Sequence, residues 1–355
     1  MKSLLAGSWV IFSLEMQQRI RGVAWYVLLG VFFGLLLLVT VITSVVVFSA
    51  DVTGGGKQVG GLLYSLIIYF VLLLGSLVAP AMSGNAINGD RDAGTLATTQ
   101  VTLVTTWQLV FGKFLAAWAT ALGFLIVSLP FLLFSAIVGG PDITTVVVSL
   151  VVLFVELGVI AAIGVGLSGL ISRPLFSVVV TYLTVAALTL GTLIAFALGG
   201  LAVESRMVTY GYNTVDEKTH TCTGLTSYQT QVPRFDLDWG VLAPNPFVVL
   251  SDAVPTTYDQ SGNPADLFGE FKYAERSAQR SPLVGSGPAA TCREDLGYTS
   301  GTQAGPTARS IIDSTTPSWL VGIGIQLVLA VAAVTGAWAK TRSPARRLSK
   351  GSRVA

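Results

Sequence analysis

The sequence predicts an all-α polytopic membrane protein with six transmembrane helices, an N-terminal interfacial helix and a large external insertion between helices five and six. Three observations lead there. Hydrophobic residues make up 52% of the 355-residue chain and charged residues only 11%, against about 25% charged in a soluble domain. Mean hydropathy is +0.71. The charges are also spaced so that they bracket long uncharged runs, each able to supply the roughly 20 apolar residues that cross a hydrocarbon core of about 30 Å.

The brackets give the spans in order. Arg21 to Asp51 encloses the first, Lys57 to Asp90 the second and Lys113 to Asp142 the third. Asp142 to Arg173 encloses the fourth, interrupted only by Glu156; Arg173 to Glu204 holds the fifth and Asp313 to Lys340 the sixth. The expected helices are 24–50, 61–83, 109–138, 144–171, 175–201 and 317–339. Pro80 and Pro130 are expected to kink their helices. Before the first span, residues 3–20 mix Trp9, Ile11, Phe12 and Ile20 with Glu15, Gln17, Gln18 and Arg19, which suits a helix lying in the membrane interface. A cleaved signal peptide is not expected, since the apolar run lacks a clear small-x-small cleavage site and Glu15 and Arg19 follow at once.

Lys and Arg near the span ends set the expected orientation. The tail carries Lys340, Arg342, Arg346, Arg347, Lys350 and Arg353; the N-terminal segment carries Lys2, Arg19 and Arg21. Arg91, Lys113 and Arg173 fall on the same side when six helices alternate. Both termini and the polar island 88–96 are therefore expected in the cytoplasm, in a cell membrane. The chain divides into 1–203 (interfacial helix and five spans), 204–315 (extracytoplasmic), 316–340 (sixth span) and 341–355 (basic tail). The net charge of +2 does not point to nucleic acid.

The insertion 204–315 holds most of the acidic groups and both cysteines, Cys222 and Cys292. An oxidising compartment makes a disulfide between them the expectation, worth roughly 4 kcal/mol in the chain-entropy account. Two cysteines, the lone His220 and no C-x-x-C spacing leave no metal site to expect. Within the insertion, Val241–Val254 is more apolar than its surroundings but too short to span. It reads equally as a re-entrant piece or as a buried strand or helix. Residues 255–312 read as polar and partly irregular.

No chemistry of bond-making is visible. Gly54-Gly-Gly-Lys57 lacks phosphate-loop spacing, and no G-x-S-x-G or H-E-x-x-H is present. No catalytic residue and no cofactor is expected on this chain. Glu156 is the one carboxylate deep in a span. It either faces a substrate pathway or bonds a neighbouring helix, because an unpaired charge at that depth costs several kcal/mol. A lone carboxylate offers little for ion coupling, which disfavours a secondary transporter. Gly30 and Gly34 stand at GxxxG spacing, where backbones can approach closely.

The run Gly89-Asp-Arg-Asp-Ala-Gly-Thr-Leu96, followed by Thr102-Leu-Val-Thr-Thr-Trp-Gln-Leu-Val-Phe-Gly-Lys113, resembles the cytoplasmic signature of ABC-2 type permeases, the membrane subunits of type V ABC exporters. Leu103 stands where that family has proline, and Ala97 where an acidic residue is common. The turn Gly169-Leu-Ile-Ser-Arg-Pro174 and the pair Asn245-Pro246 are similar to the family as well. The resemblance implies pairing with a second permease copy or paralogue and with separate ATP-binding subunits that hold ATP and Mg. It also implies contact with those subunits through the N-terminal helix and the 89–106 segment, where Glu15, Arg19, Asp90, Arg91, Asp92, Thr95 and Gln100 are the candidates. In that family the first and fifth helices make most of the dimer contact, so Gly30 and Gly34 are the implied seam. The alternative is a non-transporting receptor or assembly protein acting through the insertion together with an ABC ATPase.

Overall fold

A computed structural model describes residues 2–49, 56–94, 105–216, 221–259, 262–282 and 306–342. The chain is mostly helical. In order, the helices are α1 (Lys2–Arg21), α2 (Val23–Ser49), α3 (Gly56–Ser83), the short α4 (Asn88–Asp92), α5 (Thr106–Ile137) and α6 (Ile143–Leu170). Then follow α7 (Pro174–Ala186), a π-turn (Ala187–Gly191) and α8 (Thr192–Ala202), which succeed one another without a break in the chain's helical pattern. A hairpin of β1 (Glu204–Asp216) and β2 (Thr221–Pro233) comes next, then α9 (Pro246–Ala253), α10 (Leu267–Ala278), α11 (Ala308–Ser314) and α12 (Ser318–Thr341). Among the described residues six helical stretches are long and apolar enough to cross a membrane: 23–46, 60–92, 106–137, 143–170, 174–202 and 318–341.

The six spans match the charge brackets closely. Helix α5 starts three residues earlier than the apolar run because Thr105 and Gln108 form a capping box: the Gln108 amide donates to Thr105 Oγ1 (3.3 Å) and the Thr105 amide to Gln108 Oε1 (2.7 Å). Pro80 and Pro130 sit inside continuous helices. Helix α4 stops at Ala93-Gly94, where Gly94 takes φ +73°, a conformation open to glycine without strain.

The chain forms two compact units, residues 1–188 with 323–355, and residues 189–322. In the first, α3, α5 and α6 are the central trio. Leu63, Ile67, Ile68, Val71 and Leu72 of α3 are fully buried, as are Val110 and Ala116 of α5 and Leu153, Leu157 and Val165 of α6. Helix α2 touches this trio through Trp25 and Phe32, both edge-on to Phe124 at 5.6 and 5.0 Å. Its outer face, with Val27, Val31, Leu38 and Val45, is exposed, as a lipid-facing surface requires. Close backbone approach fixes α6 against α12: a Cβ on Gly166 would stand 2.5 Å from the Ala333 Cβ, and one on Gly169 equally close to Ala337.

In the second unit the insertion is not wholly helical. Strands β1 and β2 pair antiparallel from Glu204↔Pro233 to Asp216↔Thr221. Their Thr, Tyr and Val content favours strand, but most of β2 is exposed, so no apolar face announces the hairpin in the sequence. Within Val241–Val254, residues Pro246–Ala253 form the helix α9. The stretch expected to be irregular contains α10, whose buried face carries Lys272, Glu275 and Arg276 beside Phe268.

The glycine geometry makes a prediction. Gly166→Leu overpacks the α6–α12 crossing and lowers the melting temperature of the purified chain, corresponding to about 1–3 kcal/mol. Gly30→Leu places its Cβ where nothing lies within 4 Å and leaves the melting temperature of the isolated chain unchanged.

A candidate coupling site at the start of helix α5

Three segments far apart in sequence meet at Lys113, two turns into α5. Its side chain is 2% exposed, and its ammonium holds Asp90 of α4 at 2.7 Å and Glu15 of α1. Glu15 also faces Arg19 one turn on, at 3.6 Å. Arg19 in turn donates to Thr120 Oγ1 (2.7 Å) and to the Ala116 carbonyl (3.1 Å) on α5. Burial pushes the Arg19 guanidinium down from its ordinary value, and Glu15 opposes that shift. Two carboxylates and two cations thus close a neutral cluster. An ammonium buried this deeply requires such compensation, since an unpaired one is strongly unfavourable.

The local sequence explains why α1 reaches Lys113. Gly7 lies against the Gln108 side chain, and Gly112 has room only for hydrogen, because a Cβ there would stand 2.7 Å from the Ser8 carbonyl oxygen and from Ile11 Cβ. Small residues on both helices bring α1 and α5 into backbone contact at the turn preceding Lys113. The face of α1 turned to α5 carries Ser8 and Ile11, both buried, with Glu15 and Arg19 beyond them; Leu5, Trp9, Val10 and Leu14 are exposed. That second face is apolar, in keeping with a helix that lies in a membrane interface.

Helix α4 is pinned from the other side. Ser168 Oγ accepts from the backbone amides of Ile87 (3.0 Å) and Asn88 (3.1 Å), and the Asn88 amide nitrogen donates to the Ile171 carbonyl. Ser177 donates to the Gly84 carbonyl at 2.7 Å. The polar island and the Gly169–Pro174 turn, two separate features of the sequence, are therefore stitched together. Arg91 donates to Asn88 Oδ1 at 2.9 Å, and Asp92 is exposed.

Of the residues proposed for coupling, Glu15, Arg19 and Asp90 converge, Arg91 braces Asn88, and Asp92 is left facing outward. Thr95 and Gln100 lie outside the described residues, as does His220. Lys113, Asn88 and Ser168 complete the site and were not singled out as site residues. Glu156 stands apart from this cluster in α6. It is fully buried, and Gln326 of α12 is a polar side chain facing it. A Cβ on Gly30 or Gly34 would have nothing within 4 Å, so this α2 stripe is not packed against the described residues. Cys222 lies on β2 opposite Val215; Cys292, its expected disulfide partner, is outside the described residues. No group of three or more His, Cys, Asp or Glu suited to a metal occurs among the described residues.

Comparison with protein-family models and with curated proteins returns no match.

Removing the central cation tests the cluster. Lys113→Met leaves Glu15 and Asp90 without their shared cation and destabilises α1 docking by about 2 kcal/mol. That is less than the roughly 3–5 kcal/mol of a fully buried pair, because both carboxylates keep some contact with water. The expected readout is faster proteolysis within residues 2–21, with Asp92→Asn as the unchanged control.

Proposed function

We propose that this chain is the membrane-spanning permease subunit of an ATP-driven exporter of the ABC-2 type. In this reading it pairs with a second permease and with separate ATP-binding subunits that hold ATP and Mg, and moves a substrate, amphiphilic in character, across the cytoplasmic membrane. Both termini and α4 face the cytoplasm, and residues 204–315 lie outside. The observation that carries the reading is the convergence of Glu15 and Asp90 on Lys113. A partner that pushes on the polar island displaces α4, and the shared ammonium passes that displacement to α1 and to the long helix α5. Force transfer from a cytoplasmic ATPase needs such a rigid junction between surface and span.

Within the junction the roles divide. Glu15, Arg19, Asp90 and Lys113 hold the three helices together, while Asp92, with Arg91 behind it, is the charge available to a partner. Thr95 and Gln100 extend the same surface in sequence. Gly30 and Gly34, open on α2, fit a seam with the second permease copy. Glu156 is kept as a residue of the substrate pathway, and Cys222 with Cys292 as a disulfide in the oxidising compartment. A second reading, a non-transporting receptor or assembly protein, draws on one observation: the exposed β1–β2 hairpin is a surface to which another protein could bind.

The deciding experiment is affinity purification of the tagged chain in mild detergent with mass spectrometry of what accompanies it. A stoichiometric ATP-binding subunit is expected. Recovery of the chain alone, or with a partner held only through the insertion, favours the receptor reading. In the purified complex, Asp92→Lys is expected to lower ATPase activity several-fold with no change in melting temperature, whereas Asp90→Lys lowers both. Unchanged ATPase in Asp92→Lys removes that residue from the contact.

A further inference from the structure

The second unit contains a buried ionic cluster that the transport reading does not use. Helix α10 turns Lys272, Glu275 and Arg276 inward, exposed by only 7%, 5% and 4%. They meet Asp252 of α9 and Asp266, the residue that caps α10. Three carboxylates and two cations share this interior, so the hydrogen bonds decide which carboxylate is left over.

Asp252 is fully engaged. Its Oδ1 accepts from Arg276 Nε at 2.7 Å, and its Oδ2 accepts from the Ser318 hydroxyl (3.1 Å) and the Trp319 amide (3.0 Å) at the start of α12. Asp266 is engaged as well, accepting from the Gly269 amide (2.8 Å) and the Thr257 hydroxyl (2.9 Å). Lys272 donates to the Val254 carbonyl at 2.6 Å, and Arg276 Nη1 to the Thr315 carbonyl at 2.6 Å. Glu275 differs. Its Oε1 accepts from Gln279 at 2.9 Å, but its buried Oε2 accepts no hydrogen bond among the described residues. Oε2 is 3.4 Å from Arg276 Nε, whose single hydrogen is directed to Asp252.

We propose that Glu275 is a proton-operated latch: with a proton it fastens α10 to the first residues of α12, and without one it competes with Asp252 for Arg276. The groups facing it are Asp252 from α9, Lys272, Arg276 and Gln279 from its own helix, and Ser318 from α12. From α11, Arg309 and Asp313 pair with each other at the surface. As the neutral acid, Glu275 becomes a donor, and the Ser318 hydroxyl oxygen is an acceptor in its neighbourhood. Ser318 already donates to Asp252, so one added proton joins both carboxylates to the head of the last helix. Burial first, and Asp252 second, push Glu275 up to about 7, while Gln279, Arg276 and Ser318 oppose the shift. The folded value lies above the ordinary 4.5, so the stabilisation is complete below about 4.5 and is lost as pH rises through about 7. The latch is independent of the transport reading.

Hydrogen exchange of the full chain in lipid nanodiscs at pH 6 and pH 8, corrected for intrinsic exchange rates, tests it. Protection of the α10 amides is expected to be about tenfold greater at pH 6, with the α5 amides unchanged. Glu275→Gln, neutral at both pH values, is expected to keep the pH 6 protection throughout. Equal α10 protection at both pH values in the unmodified protein overturns the proposal, whether or not the variant folds. So does a tenfold change that persists in Glu275→Gln, or one that appears equally in α5.

Discussion

The buried ammonium of Lys113 is the constraint around which the start of α5 is organised. A cation that is 2% exposed cannot stand alone, so the fold brings carboxylates to it from two directions. Glu15 arrives on a helix that precedes the first span, and Asp90 on the short helix that follows the second. The shorter of the two, α4, cannot hold itself there. Helix α4 has five residues, far short of the dozen or more that a helix needs for stability on its own in water. The charge cluster, the glycine contacts at Gly7 and Gly112 and the Ser168 cap together supply what the local sequences lack.

The same logic of satisfying polar groups runs through the helices. A π-turn widens the hydrogen-bond ring and leaves a carbonyl without its ordinary helical partner. At Ala187–Gly191 the Thr189 carbonyl accepts from the Thr192 hydroxyl (3.0 Å) and from the Asn245 side-chain amide (2.8 Å), which also donates to Thr192 Oγ1 (2.9 Å). The Asn245 oxygen meanwhile accepts from the Phe247 amide and starts α9, with Pro246 at the first helical position. One buried asparagine thus bonds the π-turn and begins another helix. Serine hydroxyls elsewhere return to carbonyls three or four residues back, as at Ser83, Ser128 and Ser135, which satisfies a polar atom in an apolar interior within its own helix.

Much of this was legible in the sequence, and the reasons are specific. The six spans could be read because charges bracket them and nothing between competes with helix. The island 88–96 stood out because its charges interrupt apolar runs; Asn245-Pro246 was noted only as a family resemblance, and its role as the start of α9 comes from the structure. Lys113 was harder. It sits inside a span and its value comes from Glu15, 98 positions away, a distance that no local pattern carries. The β1–β2 hairpin was missed because its two faces are both polar enough for water, so the period-two alternation that marks a half-buried strand is absent. Helix α10 was missed for the opposite reason: Lys272, Glu275 and Arg276 on its inner face disguise a buried helix as a solvated segment.

The central claim is that Glu15 and Lys113 act as one interaction that holds α1 to α5. A double-mutant cycle measures that interaction directly, using the melting of the purified chain for Glu15→Gln, Lys113→Met and the pair together. The account predicts a coupling of about 1 kcal/mol or more, with the double variant less damaged than the sum of the single ones. Effects that add to within about 0.3–0.5 kcal/mol would contradict it, since independent residues behave in that way.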